Sequence, residues 1–388
     1  MKWKFAGGRR LLLCSTTMTQ TTPPDEESGC DIPFPAPHRN VRWPWLAGLL
    51  LAALVAGCSD STSNDGAGAT AAVSPEADSE ASGAAVAPRP SSGCSQATPN
   101  AGVSEQTLMV GAEAGTYREM IPSAAAETEP LPLIIDLHGL GAAVAVVAEA
   151  HEFETLGEQQ GVFVLTPNGL GPASASGNNS PAFLKALLDA SEQRLCIDTA
   201  RVFMGGISWG GITASTEACP LADRIAAIGV VSGIRFSAEC QLSRPLPVMV
   251  FHGKLDTTVQ YYGGLGYSFS HPGERAPPPP TAPPADTQGF PPVEPVVAQW
   301  AAADGCPAEP EVTQVSPHVE RRTFGGCSEG SAVEFYVISD GQHVWPGVDL
   351  ETFNRLCPDC LAIGIQPTQE IKATPLLWDF WMRHPLAN

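Results

Sequence analysis

Val202-Phe-Met-Gly-Gly-Ile-Ser208-Trp-Gly-Gly-Ile-Thr213 is the stretch on which the fold turns. Residues 202–204 are apolar and strand-like, residues 205–211 hold four glycines and a serine in seven positions, and helical spacing follows over about 209–218. Gly206-x-Ser208-x-Gly210 therefore sits between a strand and a helix. A serine on so tight a turn is lifted above the sheet edge, and its glycines are needed because neighbouring chain leaves no room for side chains. In a chain with 38 glycines the five-residue pattern alone carries little weight. The plain alternative is a structural Gly-rich turn, and the strand–turn–helix context is what favours a nucleophile.

Working outward, Leu131-Pro-Leu-Ile-Ile-Asp-Leu137 reads as a buried strand running into the loop His138-Gly139-Leu140-Gly141. Residues 142–160 have helical spacing, 162–166 form a second buried strand closed by Pro167-Asn168-Gly169, and 181–195 form a helix with Pro181 at its first position. Residues 225–231, 246–251 and 333–338 are further apolar runs of strand length. Strands alternating with helices at this spacing predict an α/β class chain with a mostly parallel sheet, covered by helices on both faces. Residues 272–295 hold ten prolines in 24 positions and read as an irregular surface insertion, a spacer.

Two later loops supply partners for the serine. The run 246–251 leads into His252-Gly-Lys-Leu-Asp256, and 333–338 leads into Asp340-Gly-Gln-His343-Val-Trp-Pro-Gly347. In an open α/β sheet such strand ends converge on one crevice. The order Ser208…Asp256…His343 is that of an α/β-hydrolase. In that arrangement His343 takes the Ser208 proton and Asp256 holds the imidazole tautomer. Backbone N–H groups of Leu140 and Trp209 are the candidate oxyanion donors. His138 and Trp345 are candidate pocket residues, with Trp209 beside them; Trp300 reads as pocket or core. His252 reads as a packed residue, and His151, His271, His318 and His384, outside any motif, as surface residues. No phosphate-binding Gly loop is evident, and Asp340 and His343 lack metal-ligand partners at usable spacing, so neither cofactor nor metal is expected.

The whole chain of 388 residues carries 41 acidic against 21 basic side chains, a net charge of −20. Nucleic acid, which needs clustered Lys and Arg, is thereby disfavoured, as is a polybasic grip on lipid. Residues 46–56 (LAGLLLAALVA) follow Arg39 and Arg42 and end in Val55-Ala-Gly-Cys58. That run is far short of the about 20 residues a spanning helix needs. It resembles a bacterial lipoprotein signal with Cys58 as the lipidated residue; the stretch ahead of the apolar run is long for such a signal, and Met18 is a candidate for the true start. Residues 58–93 are a polar, Ala/Gly/Ser-rich stretch expected to form a disordered tether. The expected organisation is a 1–57 leader, the tether, and a single catalytic domain over 94–388. Without the six basic and four acidic residues of the leader the charge becomes −22. Eight cysteines follow Cys58, an even number that suits disulfides in an oxidising compartment. Cys306–Cys327 is the favoured pair, then Cys219–Cys240, with Cys94–Cys196 and Cys357–Cys360 remaining; other connectivities stay open. The chain is therefore expected to be extracytoplasmic, as a membrane-anchored lipoprotein at the periplasm or cell surface, or secreted.

Taken together, Leu-His138-Gly139, Cys196-Ile-Asp-Thr-Ala-Arg-Val-Phe-x-x-Gly-x-Ser208-x-Gly-Gly211, Phe251-His-Gly-x-x-Asp256, Trp300…Asp304-Gly-Cys306 and Asp340-Gly-x-His343-x-Trp-Pro-Gly347 resemble the secreted polyhydroxybutyrate depolymerase and feruloyl esterase family over about 94–350. The resemblance implies a single-domain α/β-hydrolase fold and a serine carboxylesterase without cofactor. Trp209 stands where that family usually has Asn or Gln, residues 169–180 lack its usual Trp-Asn segment, and the Pro-rich insertion is longer than expected. The first substrate expectation is hydroxyalkanoate oligomers; the alternatives are a feruloyl or acetyl-xylan esterase and, in another class, a non-catalytic surface binding lipoprotein. A serine peptidase of this fold typically carries a gating domain for which this length leaves no room.

Overall fold

The apolar runs flanking the serine turn fold into one ten-stranded sheet. In chain order the strands are β1 (Gly102–Val110), β2 (Glu113–Ile121), β3 (Leu131–Leu137), β4 (Phe163–Leu170), β5 (Ile197–Ile207), β6 (Ala227–Val231), β7 (Val248–Gly253), β8 (Glu311–Ser316), β9 (Val319–Phe324) and β10 (Val333–Ile338). In this computed structural model residues 86–387 are described, apart from 98, 127–128, 171–179, 265, 272–273 and 283–288. The chain divides into units 1–78 and 79–388, and the described residues all belong to the second. The proposed leader, Cys58 and the tether up to residue 85 lie outside them.

Across the sheet the order is β1-β2-β4-β3-β5-β6-β7-β10-β9-β8. The six strands from β4 to β10 in that order are parallel, and antiparallel hairpins flank them on both sides. This is an α/β-hydrolase fold. Alternate residues of β3 explain the apolar runs: Leu133 and Ile135 enter one hydrophobic cluster and Ile134 the other. A strand buried on both faces needs apolar residues at every position.

The first face is covered by α3 (Pro181–Arg194), α4 (Trp209–Glu217) and α6 (Val293–Ala303), which bring Leu184, Ala214 and Trp300 to it. The second is covered by α2 (Phe153–Gln160), α7 (Leu350–Leu356) and α8 (Ala373–Arg383), through Phe153, Phe353 and Trp381. There Trp381 stacks on Phe203 with ring centroids 5.4 Å apart. Burying an aromatic of this kind contributes about 1.5–3 kcal/mol. Two short helices complete the set: α1 (Val144–His151) and α5 (Tyr267–Ser270). No described helix is long and apolar enough to cross a membrane.

Several expectations are corrected. The helical stretch 142–160 is two helices, α1 and α2, broken at Glu152, whose φ of 58° turns the chain so that Phe153 is buried. Strand β4 continues through Pro167-Asn168-Gly169, with a register shift opposite Thr116/Tyr117 that accommodates the proline. The Pro-rich insertion ends earlier than expected, because Pro292 caps α6 and Pro295 fits in its first turn, where no intrahelical N–H is required.

Residues 86–93, assigned to the tether by composition, are part of the domain. Arg89 N–H donates to Asp198 Oδ1 at 2.8 Å, Ser91 N–H to Ile197 O at 2.8 Å, and Arg201 reaches the Val86 carbonyl. Disulfides join Cys94–Cys196, Cys219–Cys240, Cys306–Cys327 and Cys357–Cys360.

Candidate active site

Strand β5 ends at Ile207 and α4 begins at Trp209, so Ser208 alone makes the turn. Its φ of 58° and ψ of −123° are strained for a residue with a Cβ, a conformation that persists only where surrounding structure enforces it. Ser208 N–H donates to the Val231 carbonyl at 2.9 Å, and its own carbonyl accepts from Ile212. The flanking glycines have a steric cause. A Cβ on Gly206 or Gly210 would lie 2.3 or 2.0 Å from the Leu137 carbonyl oxygen, so the turn presses directly against the end of β3.

That contact brings the loop after β3 to the serine. A Cβ at Gly139 would stand 3.8 Å from Ser208 Oγ. Leu140 directly follows Gly139 in this loop, and Trp209, first in α4, directly follows the serine in the chain. His138 is fully buried and braces this loop: its Nδ1–H donates to the Gly139 carbonyl at 2.8 Å. It is not among the residues lining the cavity described below.

Asp256 follows β7 and His343 follows β10, strands that pair in parallel. The two loops are bonded together, with Lys254 N–H donating to Ile338 O and Leu255 N–H to Gly341 O, each at 2.9 Å. His343 Nδ1–H donates to Asp256 Oδ2 at 2.8 Å. The other carboxylate oxygen, Oδ1, accepts the backbone N–H groups of Thr258 and Val259, both at 2.8 Å. Burial pushes the Asp256 carboxyl upward, but His343, His252 and these backbone donors outweigh it and hold the group below the usual carboxylate range. His252 is packed, as expected: its Nε2–H donates to the Val259 carbonyl, and burial lowers its basicity. Gln342 fastens the His343 loop from outside through Gly364 O and Gln366 N–H. With Nδ1 committed to Asp256, the His343 Nε2 lone pair is left to act as base.

Beside this centre lies a cavity of about 300 Å³. Ile207, adjacent to the serine, and His343 share its wall with Val147, Phe353, Ile363 and Ile365. Trp345 also lines it, 3% exposed, while Trp209 does not and Trp300 is buried core bonded to the Arg235 carbonyl. The Cys357–Cys360 disulfide forms part of the same wall.

The expected surface role of His151 is wrong. This residue, on α1, is 2% exposed, donates from Nδ1–H to Asp136 Oδ1 at 2.6 Å, stacks on Trp345 at 3.7 Å, and lines the cavity. Sequence reasoning missed the pair, although a charged Asp136 inside the apolar run of β3 signalled a buried partner. His384 is half-buried and bonded to the Phe380 carbonyl. Asp340, which lacks ligand partners at usable sequence spacing, has spatial ones: its oxygens lie within 4.8 Å of donor atoms of His318 and Glu370. This exposed trio is the one group of potential metal ligands among the described residues, and within it His318 Nδ1–H donates to Glu370 Oε1.

No protein family's profile matches the chain. It is similar to feruloyl esterase B of Piromyces equi, 24% identical over 236 residues, which covers 57% of this chain and 41% of that protein. It is also similar to the probable feruloyl esterase C of Aspergillus niger, 26% identical over 252 residues, covering 63% of this chain and 80% of that protein. Among solved structures, the acetyl xylan esterase from Aspergillus awamori superposes with a TM-score of 0.44 and 14% identity over 66% of this chain and 99% of that one. The matched region thus spans less than half the length of the Piromyces protein.

Proposed function

We propose that this chain is a serine hydrolase of carboxylic esters, with Ser208 as nucleophile, His343 as general base and acid, and Asp256 orienting the imidazole. The observation that carries this reading is the 2.8 Å bond from His343 to a buried Asp256, at the same sheet edge as a serine held at φ 58°. Ser208 Oγ attacks the ester carbonyl as His343 Nε2 takes its proton. The tetrahedral oxyanion is met by the backbone N–H groups of Leu140 and Trp209. Collapse expels the alcohol, which receives the proton from His343. Water, activated by the same imidazole, then hydrolyses the acyl-enzyme.

For substrate we favour feruloyl and related esters, ahead of the hydroxyalkanoate oligomers of the first expectation. Two similar proteins are named feruloyl esterases, and the cavity beside His343 has largely apolar walls suited to an aromatic acyl group. Four disulfides fit maturation in an oxidising compartment, and an anchor at Cys58 would hold the enzyme at a membrane surface.

Replacement of Ser208 by alanine tests the mechanism. Hydrolysis of 4-nitrophenyl acetate should fall about 10⁶-fold in kcat while the thermal transition stays in place. Near wild-type turnover would remove Ser208 from the chemistry. A panel of methyl ferulate, acetylated xylan and hydroxybutyrate oligomers then ranks the substrates.

A further inference from the structure

The Asp136–His151 pair is costly where it stands. Both residues are at most 2% exposed, and Asp136 Oδ2 has no hydrogen-bond partner among the described residues. A buried, half-satisfied carboxylate is destabilising, and packing alone is served as well by apolar side chains of similar volume. The imidazole is nonetheless held on every side. Trp345 stacks on one face, Phe153 meets it edge-on, and Thr374 Oγ1 links the His151 carbonyl to Trp345 Nε1. Nδ1–H is committed to Asp136, so the Nε2 lone pair is the polar feature left for the cavity that His151 lines. Most of the wall around it is apolar, including Val146, Val147, Phe353 and Ile363. A fixed acceptor in such a setting discriminates, because a ligand that lacks the matching donor leaves it unpaired.

We infer that this cavity receives the acyl group of the ester, and that His151, oriented by Asp136, is a specificity residue that accepts a hydrogen bond from a hydroxyl on that group. The inference rests on the esterase reading above. The hydroxyl has two chemical sources, the phenol of a hydroxycinnamoyl group or the aliphatic hydroxyl of a hydroxyalkanoyl group. Asp136 acts through the imidazole and is a positioning residue.

The test compares each hydroxyl ester with its O-methylated counterpart: methyl ferulate against methyl 3,4-dimethoxycinnamate, and methyl 3-hydroxybutyrate against methyl 3-methoxybutyrate. The ratio of kcat/KM within a pair is independent of how much of a variant is folded. Wild-type protein should prefer the hydroxyl form about tenfold in one of the two pairs, which names the source. His151→Phe and His151→Leu should bring that ratio to about one. Asp136→Asn should lower it too, because an amide donating to Nδ1 turns Nε2 into a donor, an effect that a purely structural role would not produce. A wild-type ratio near one in both pairs, or a ratio preserved in the His151 variants, overturns the inference while hydrolysis of 4-nitrophenyl acetate leaves the esterase reading standing. Absence of turnover on every ester, 4-nitrophenyl acetate included, overturns both.

Discussion

Two imidazole–carboxylate pairs flank one cavity, and they are built differently. In His343–Asp256 both carboxylate oxygens are satisfied, one by the imidazole and one by two backbone N–H groups, and the histidine retains some exposure. In His151–Asp136 one oxygen is satisfied, the other is bare, and both residues are sealed in. The first pair belongs to loops that follow parallel strands, where the chain is free to aim side chains at a crevice. The second joins a residue inside β3 to the last turn of α1, where packing dictates direction. On the proposed readings the contrast is a division of labour: the pair assigned the proton transfer is partly accessible and fully braced, and the pair assigned recognition is buried in the wall.

The largest expected effect breaks the first pair alone. Asp256→Asn keeps the shape but offers Nδ1 a donor in place of an acceptor, favouring the wrong imidazole tautomer. Turnover of 4-nitrophenyl acetate should fall about 10⁴-fold in kcat. A loss of less than tenfold would mean that Asp256 does not orient the base, and the distinction between the two pairs would collapse.

A third buried carboxylate sharpens the comparison by lacking an imidazole. Asp304 accepts from Ser331 Oγ at 2.6 Å and from Leu246 N–H at 2.8 Å, and burial pushes its pKa up to about 6, whereas Asp256, with its histidines, lies below the usual range. The folded state therefore holds a proton on Asp304 that the unfolded chain, near the ordinary value of 3.8, has already lost. Stability from this group is full below about pH 4 and falls as pH rises through about 6, by on the order of 3 kcal/mol. Asp256 has the opposite sign, its contribution being lost in acid. Chemical denaturation from pH 4 to pH 7 should show Asp304→Asn with a flatter profile than wild type across this window; an identical slope would contradict the assignment.

How far the sequence reaches follows the same division. The doubly covered strands β3, β5 and β10 are legible because burial on both faces forces uninterrupted apolar runs, and Ser208, Asp256 and His343 are legible as candidates because each directly follows such a run. The hairpins β1–β2 and β8–β9 escape notice. Glu105, Thr107, Glu311 and Gln314 are exposed on outer strands, so no apolar alternation marks them. Residues 86–93 carry a polar composition that reads as tether, yet their backbone hydrogen bonds to 197–199 hold them in place, a contact invisible to composition. His151 escapes because its partner is on another element and no motif joins the two.

The smallest expected effect probes the support of the second pair. Trp345→Phe retains an aromatic face against His151 but removes the Nε1–H bond to Thr374 Oγ1, the hydroxyl that in turn donates to the His151 carbonyl. One buried hydrogen bond is worth about 1 kcal/mol, so the melting temperature should drop by about 2 °C. The imidazole keeps its Asp136 bond, and the hydroxyl preference should fall by no more than about threefold, well short of its loss in His151→Phe. Collapse of that preference to one would mean that the indole, rather than Asp136, fixes the ring. A drop beyond tenfold in 4-nitrophenyl acetate turnover would mean that the two pairs are coupled through Val344, which separates His343 from Trp345 in the chain, and that proton transfer and recognition are a single unit.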